Sequence, residues 1–100
     1  MKIWIDDIRP APDEYECWSM TVEHTIGCIK EFEKEGIQID VIDLDHDAGH
    51  YFKYGGDYIK LLDWLEETGR NYPIRIHSAN PVGVQNMRRI IERNGWKEIR

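Results

Sequence analysis

Positive charge, cysteine and long apolar runs are what this chain has little of. Thirteen Lys and Arg face nineteen Asp and Glu, a formal net charge of −6. A surface that tracks a phosphate backbone needs a Lys/Arg stripe, so duplex DNA is not an expected partner. The nearest basic cluster, Arg88-Arg89 with Arg93, falls on a late helical stretch and reads as a solvated face. Only two cysteines occur, Cys17 and Cys28, without metal-ligand spacing and in different predicted elements. They read as small core residues of a reducing compartment. No apolar run approaches the roughly 20 residues of a membrane span. The N-terminus enters a strand directly, without a signal-peptide pattern. The expectation is a cytoplasmic protein that does not bind membranes. Repeats and low-complexity segments are absent. So are a phosphate-loop motif ending in Lys-Ser or Lys-Thr and a nucleophile elbow or Ser-His-Asp order.

What is present supports one domain spanning residues 1–100. Hydrophobic residues make up 41% of the chain, and four Trp with five Tyr add large buried area per residue. Lys2–Ile5 reads as a short buried strand, halted by Asp6-Asp7 and then by Pro10 and Pro12. Residues 17–22 alternate and are rich in strand formers, which predicts the next strand. The connection between them is too short and proline-rich for a full crossover helix. From about Thr25 the period changes to a helical stripe of Ile26, Ile29 and Phe32, closed by Gly36. Residues 39–44 form the most β-like apolar run, the expected central strand. Residues 48–56 read as a loop holding His50, Tyr51, Phe52 and Tyr54. A helix follows from Asp57, with Ile59, Leu62 and Leu65 on its buried stripe. Pro73 opens a strand over 74–77, and Pro81 begins a last helix with Val84, Met87, Ile90 and Ile91 inward. Trp96–Arg100 gives a final short strand. The pattern β-β-α-β-α-β-α-β predicts an open α/β sheet, mostly parallel, with helices on its faces and right-handed connections.

The chemistry gathers where strands end. In the run Val41-Ile42-Asp43-Leu44-Asp45-His46-Asp47, three carboxylates and an imidazole crowd into five residues. They repel one another unless a cation or a phosphate-bearing ligand organises them. Strand alternation puts Asp43 and Asp45 on one side, with Asp45 at the crevice and Asp43 deeper, as a ligand-supporting or a buried structural carboxylate. His46, flanked by Asp45 and Asp47, is either an acid–base or metal-binding imidazole or a plain loop histidine. Asp6-Asp7 either ligates a hard cation such as Mg²⁺ or caps a turn. In His77-Ser78-Ala79-Asn80, Ser78 offers a hydroxyl to a phosphoryl oxygen, and Asn80 before Pro81 suits a helix cap beside an anion site. His77 can face His46 as an acid–base partner or be a satisfied core histidine. Three strands that deliver polar groups from their C-terminal ends are what an active crevice in an open α/β sheet requires.

Several of these segments also carry a resemblance. Residues 1–7 (MKIWIDD) resemble the first strand and acidic pair of two-component receiver domains. Residues 40–45 (DVIDLD) resemble their third strand, with Asp45 at the phospho-accepting aspartate, and 73–79 (PIRIHSA) their fourth, with Ser78-Ala79 at the switch position. The resemblance implies a flavodoxin-like sheet of order 2-1-3-4-5, with the first crossover helix reduced to a loop. Two features depart from ordinary receivers: His46-Asp47 follows the aspartate where a Met-Pro pair is typical, and the lysine after the fifth strand has no clear match. Leu-Asp-His-Asp at 44–47 and His-Ser-x-Asn at 77–80 are similar instead to the small cyclic-phosphate processing receiver domains. That likeness implies a metal-assisted phosphoesterase or binder acting on cyclic nucleotides or cyclic-phosphate RNA ends. Asp6, Asp7 and Asp45 would hold Mg²⁺ or Mn²⁺, and His46, His77 and Asp45 would act in catalysis. Ser78 and Asn80 would bind phosphate, with Asp43 and Asp47 behind them. The alternatives are a phospho-accepting signalling receiver and a non-catalytic nucleotide-sensing module.

Overall fold

Right-handed crossovers, applied to five short strands, determine where the helices of this chain lie. The computed structural model describes residues 1–100. It contains strands β1 (Lys2–Ile5), β2 (Cys17–Ser19), β3 (Val41–Leu44), β4 (Ile74–Ile76) and β5 (Glu98–Ile99), and helices α1 (Val22–Lys34), α2 (Ile59–Glu67) and α3 (Pro81–Asn94). All pairings are parallel, in the order β2-β1-β3-β4-β5 expected from the sequence. The connections β2–β3, β3–β4 and β4–β5 step across the sheet in one direction, whereas β1–β2 steps back. Right-handedness therefore puts α1, α2 and α3 on one face and the 6–16 connection on the other.

The packing agrees with that assignment. α1 lies against α2, and α2 against α3. A single core joins Ile3, Ile5, Ile42, Leu44 and Ile74 of the strands to Val22, Ile29, Leu61, Leu62, Leu65, Met87, Ile90 and Ile91 of the helices. Burial of this apolar surface is the main force holding the sheet to its helices. The expected helices thus all lie on one face, in keeping with a first crossover helix reduced to a loop. The helix missing between β1 and β2 is the one that would have covered the other. Its place is taken by the 6–16 loop, from which Tyr15 packs edge-on against Trp4 at 5.3 Å between ring centroids.

Local chemistry moves several expected boundaries. β2 stops at Ser19, not at residue 22, because Thr21 caps α1: its hydroxyl accepts the His24 N–H at 2.9 Å. The buried line of α1 is accordingly Val22, Thr25 and Ile29, with Ile26 and Phe32 at its margin. α2 starts at Ile59 because the Asp57 carboxylate is engaged by the Ala48 N–H and Tyr58, fully buried, donates to the Met20 carbonyl. A short 3₁₀ turn, Gly49–Tyr51, interrupts the loop expected over 48–56. Cys17 and Cys28 are free thiols and only half-buried, with Cys17 packed at the margin of the core. Arg88 pairs with Glu98 and Arg93 with Glu66, so the late basic cluster is largely neutralised within the fold. No helix is long and apolar enough to cross a membrane.

Glu33 near the end of α1 ties that helix to the segment entering β4. It receives Arg70 in a two-point pair, at 2.8 and 2.9 Å, together with the Tyr72 hydroxyl. The Arg70 guanidinium holds the Glu33 carboxyl below its ordinary value. A depressed folded-state pKa contributes stability above the unfolded value of about 4.3 and loses it as pH falls through the folded one. Glu33→Gln is therefore expected to flatten the acid limb of a stability-versus-pH profile below about pH 4.3. The pair is partly exposed, so the loss at neutral pH should be about 1 kcal/mol or less. Chemical denaturation of both proteins between pH 3 and 7, values that bracket an ordinary carboxylate, checks this. An unchanged acid limb would reject the assignment.

Candidate active site

Two rows of side chains cross the open face of the sheet. Core residues Ile3, Ile5, Ile42, Leu44 and Ile74 turn toward the helices, so the residues between them turn the other way. Register places Trp18, Trp4, Asp43 and Arg75 side by side. Ile5, Leu44 and Ile76 are aligned one step further on. The next row outward is therefore Asp6, Asp45 and His77, at the C-terminal ends of β1, β3 and β4. Strand pairing continues into it, with the Asp45 N–H on the Ile5 carbonyl and the His77 N–H on that of Leu44.

His77 joins the two rows. Its Nδ1 lies 2.6 Å from Asp43 Oδ1 and its Nε2 lies 2.9 Å from Asp6 Oδ2. Each ring nitrogen faces a carboxylate oxygen, a pattern that two N–H donors satisfy. The ring stacks on Trp4 at 3.7 Å and 4°. Asp43 is fully buried and also receives the Tyr15 hydroxyl and, at 3.0 Å, Arg75 Nη1. Burial alone would raise its carboxyl, but the bonds from His77, Tyr15 and Arg75 outweigh burial and hold it below the usual range. Burial, with Asp43 adding to it, pushes the Tyr15 phenol up to about 12, so it remains a donor. Of the two roles the sequence left open, Asp43 has the structural one. It is the buried anchor of His77.

Asp6, Asp7 and Asp45 each offer an oxygen within 4.8 Å of the others. Asp6 is buried. Burial works to raise its carboxyl, but the Ile8 and Arg9 amides, His77 and the Arg9 charge outweigh it and keep it low. On Asp7 burial outweighs the bond from its own amide and, with the charges of Asp6 and Asp45, pushes its carboxyl up. Gly49 comes close to Asp7: a Cβ there would stand 2.3 Å from Asp7 Oδ2, and the backbone is left-handed at φ 56°. Arg9 bridges the cluster, with Nε 2.9 Å from Asp6 Oδ2 and Nη2 3.1 Å from Asp45 Oδ2. Three carboxylates that converge like this, each bringing hard oxygen donors, fit a hard divalent cation.

Beside this cluster opens a cavity of about 330 Å³, lined by Arg9, Asp45, Asp47, Ser78, Ala79 and Asn80. Asn80 Oδ1 accepts the Gly83 N–H and caps α3, while its amide nitrogen points toward Asp47 Oδ2 at 3.5 Å. The Ser78 hydroxyl accepts the Asn80 N–H at 3.1 Å. His46 is oriented by its neighbours: its N–H donates to Asp45 Oδ1 and its Nδ1 meets Asp47 Oδ1 at 2.8 Å. The His46 ring lies against the first turn of α3, where only a glycine leaves room. A Cβ on Gly83 would stand 2.5 Å from His46 Cγ.

All the residues singled out in the sequence thus fall at one edge of the sheet, although in separate groups. Asp6, Asp7, Asp45 and His77 meet. Asp45, Asp47, Ser78 and Asn80 line the cavity, with His46 beside Asp47. Trp4, Arg9, Tyr15 and Arg75 were not anticipated. The available signal was a Trp, an Asp and an Arg each set within an otherwise apolar strand, at 4, 43 and 75, where a polar group needs a partner across the sheet.

A two-layer receiver-like α/β sheet with its polar groups at the C-terminal strand ends is the class these features define. The model of the cyclic-phosphate processing receiver domain matches residues 1–93, and the chain belongs to that family. No curated protein and no solved structure matches it.

Gly83→Ala tests the close approach of α3. The His46 ring must move, and forcing a methyl group into a packed site costs about 1–3 kcal/mol. The expected result is a lower unfolding midpoint together with displaced His46 ring resonances in ¹H–¹³C NMR. An unmoved His46 signal would contradict the contact.

Proposed function

We propose that the domain binds and hydrolyses cyclic phosphate esters, of nucleotides or of RNA ends, where β1, β3 and β4 end. The observation that carries this reading is the meeting of Asp6, Asp7 and Asp45 beside a polar cavity that Asp45 also lines, in a chain of a cyclic-phosphate processing family. Asp6, Asp7 and Asp45 would hold Mg²⁺ or Mn²⁺, which when bound neutralises phosphate charge and acidifies a water. His46 is the proton-transfer group: Asp47 orients Nδ1, which leaves Nε2 for the ligand. Ser78 keeps its hydroxyl proton to donate, and the Asn80 amide, with one N–H directed at Asp47, has a second for a phosphate oxygen, because its carbonyl oxygen alone serves the helix cap. His77, held by Asp43, keeps Asp6 in position. Exposed Ile8, Phe52 and Val82 sit on the segments that leave this edge, as suits an organic ester with a nucleoside part.

The direct test follows ³¹P NMR of 2′,3′- and 3′,5′-cyclic nucleotides incubated with the protein and Mg²⁺ or Mn²⁺. Conversion of the cyclic ester signal to that of a monoester is expected, slowed about 10²-fold or more in His46→Ala and lost in Asp45→Asn. His77→Ala should also lose turnover, through a disordered Asp6. Nucleotide affinity without turnover would overturn hydrolysis and leave a sensing module. An acetyl-phosphate adduct on Asp45 without ester turnover would favour a signalling receiver.

A further inference from the structure

Arg9 is the only cation lining the cavity, and it is bonded to two of the three carboxylates the proposed function assigns to a metal, Asp6 and Asp45. Asp6 has no acceptor capacity to spare. Its Oδ1 takes the Ile8 and Arg9 N–H groups, at 2.9 and 3.0 Å, and its Oδ2 takes Arg9 Nε and His77 Nε2, both at 2.9 Å. A carboxylate has about four lone-pair sites, so a divalent cation reaching Asp6 must displace one donor. The two amides belong to the turn that ends β1. His77 is held by Asp43 and stacked on Trp4. The Arg9 side chain is half exposed and is the donor free to leave. On Asp45, Oδ1 serves the His46 N–H and Oδ2 serves Arg9, so the same side chain yields there too.

We infer that Arg9 is a phosphate clamp held by Asp6 and Asp45, and that a divalent cation releases it to the phosphate. This rests on the reading of Asp6, Asp7 and Asp45 as a cation site. The backbone of Arg9 stays pinned, its N–H on Asp6 Oδ1 and its carbonyl on Trp4 Nε1 at 2.8 Å, so the guanidinium swings from a fixed base. It swings into a cavity it already lines. A guanidinium fork matches two phosphate oxygens, and Ser78 and Asn80 stand across the same cavity. Before the exchange, an entering anion meets the Asp45 and Asp47 carboxylates while the guanidinium is engaged. After it, the cation neutralises the cluster and the guanidinium is free. Cation and phosphate therefore bind with positive coupling, the cation first.

The test compares wild type, Arg9→Gln and Arg9→Lys by isothermal titration calorimetry, first with MgCl₂ alone and then with inorganic phosphate at saturating Mg²⁺. In Arg9→Gln the competitor for Asp6 and Asp45 is gone, so Mg²⁺ alone should bind several-fold tighter. Phosphate should bind about tenfold or more weakly, the scale of one charge-assisted hydrogen bond. Arg9→Lys keeps a charge but not the fork, so phosphate should weaken in it as well while Mg²⁺ affinity stays near wild type. Opposite shifts for the two ligands are the signature that a merely structural arginine cannot give. Parallel weakening of both, or no change in either, overturns the clamp. Equal Mg²⁺ binding by wild type and Arg9→Gln removes the exchange while leaving the cation site intact. Absence of Mg²⁺ binding in all three removes the cation site and the clamp together.

Discussion

The hydrogen-bonded bridge Asp43–His77–Asp6 is the interaction on which the rest of this edge depends. It ties β3, β4 and β1 together at the point where the sheet stops, and it does so between two carboxylates that would otherwise repel in a poorly solvated place. Losing the ring would take a shared donor from two buried carboxylates at once. Tyr15 and Arg75 complete the set on Asp43, and Trp4 fixes the plane of the ring. The consequence is an Asp6 carboxylate whose position is determined before any ligand arrives. Preorganisation of this kind is what electrostatic catalysis and tight ion binding both use.

That bridge is possible because the sheet is covered by helices on one side only. Three crossovers step the same way and place their helices together, while the single backward step, from β1 to β2, is made by a proline-containing loop. A helix in that position would cover Trp4, Asp43 and Arg75 with apolar surface. The loop instead delivers Tyr15 to Asp43 and Arg9 to Asp6 and Asp45. The loss of one element and the polarity of one sheet face are thus two aspects of one arrangement. Each makes the other tolerable.

Among receiver-like folds, the site differs from a plain phospho-acceptor in its surroundings. Arg9, reaching in from the loop after β1, is the cation on the crevice aspartate, and no lysine beyond the fifth strand is needed to explain the charge there. His46 stands over α3 because Gly83 leaves it room, and Asp47 orients its ring. These additions surround Asp45 with an arginine and an oriented imidazole, in a chain that belongs to a family of cyclic-phosphate processing domains.

Much of this was legible in the sequence by itself. The apolar runs of β1 and β3, the helical stripes and the glycine and proline boundaries determined the element order, and the resemblance to receiver domains supplied the order of strands in the sheet. Carboxylates and histidines directly after apolar strands marked the polar edge of the sheet, because charge at the end of a buried strand is directed to the crevice. What the sequence could not decide was pairing. Whether Asp43 served a ligand or the fold depended on three partners from residues 15, 75 and 77, up to 34 positions apart in the chain. The role of Arg9 likewise appeared only when the turn after β1 laid it across two strands. Local pattern is set by each residue's own chemistry and its near neighbours. The protonation, partners and freedom of a charged side chain are set by what folding brings within about 3 Å of it.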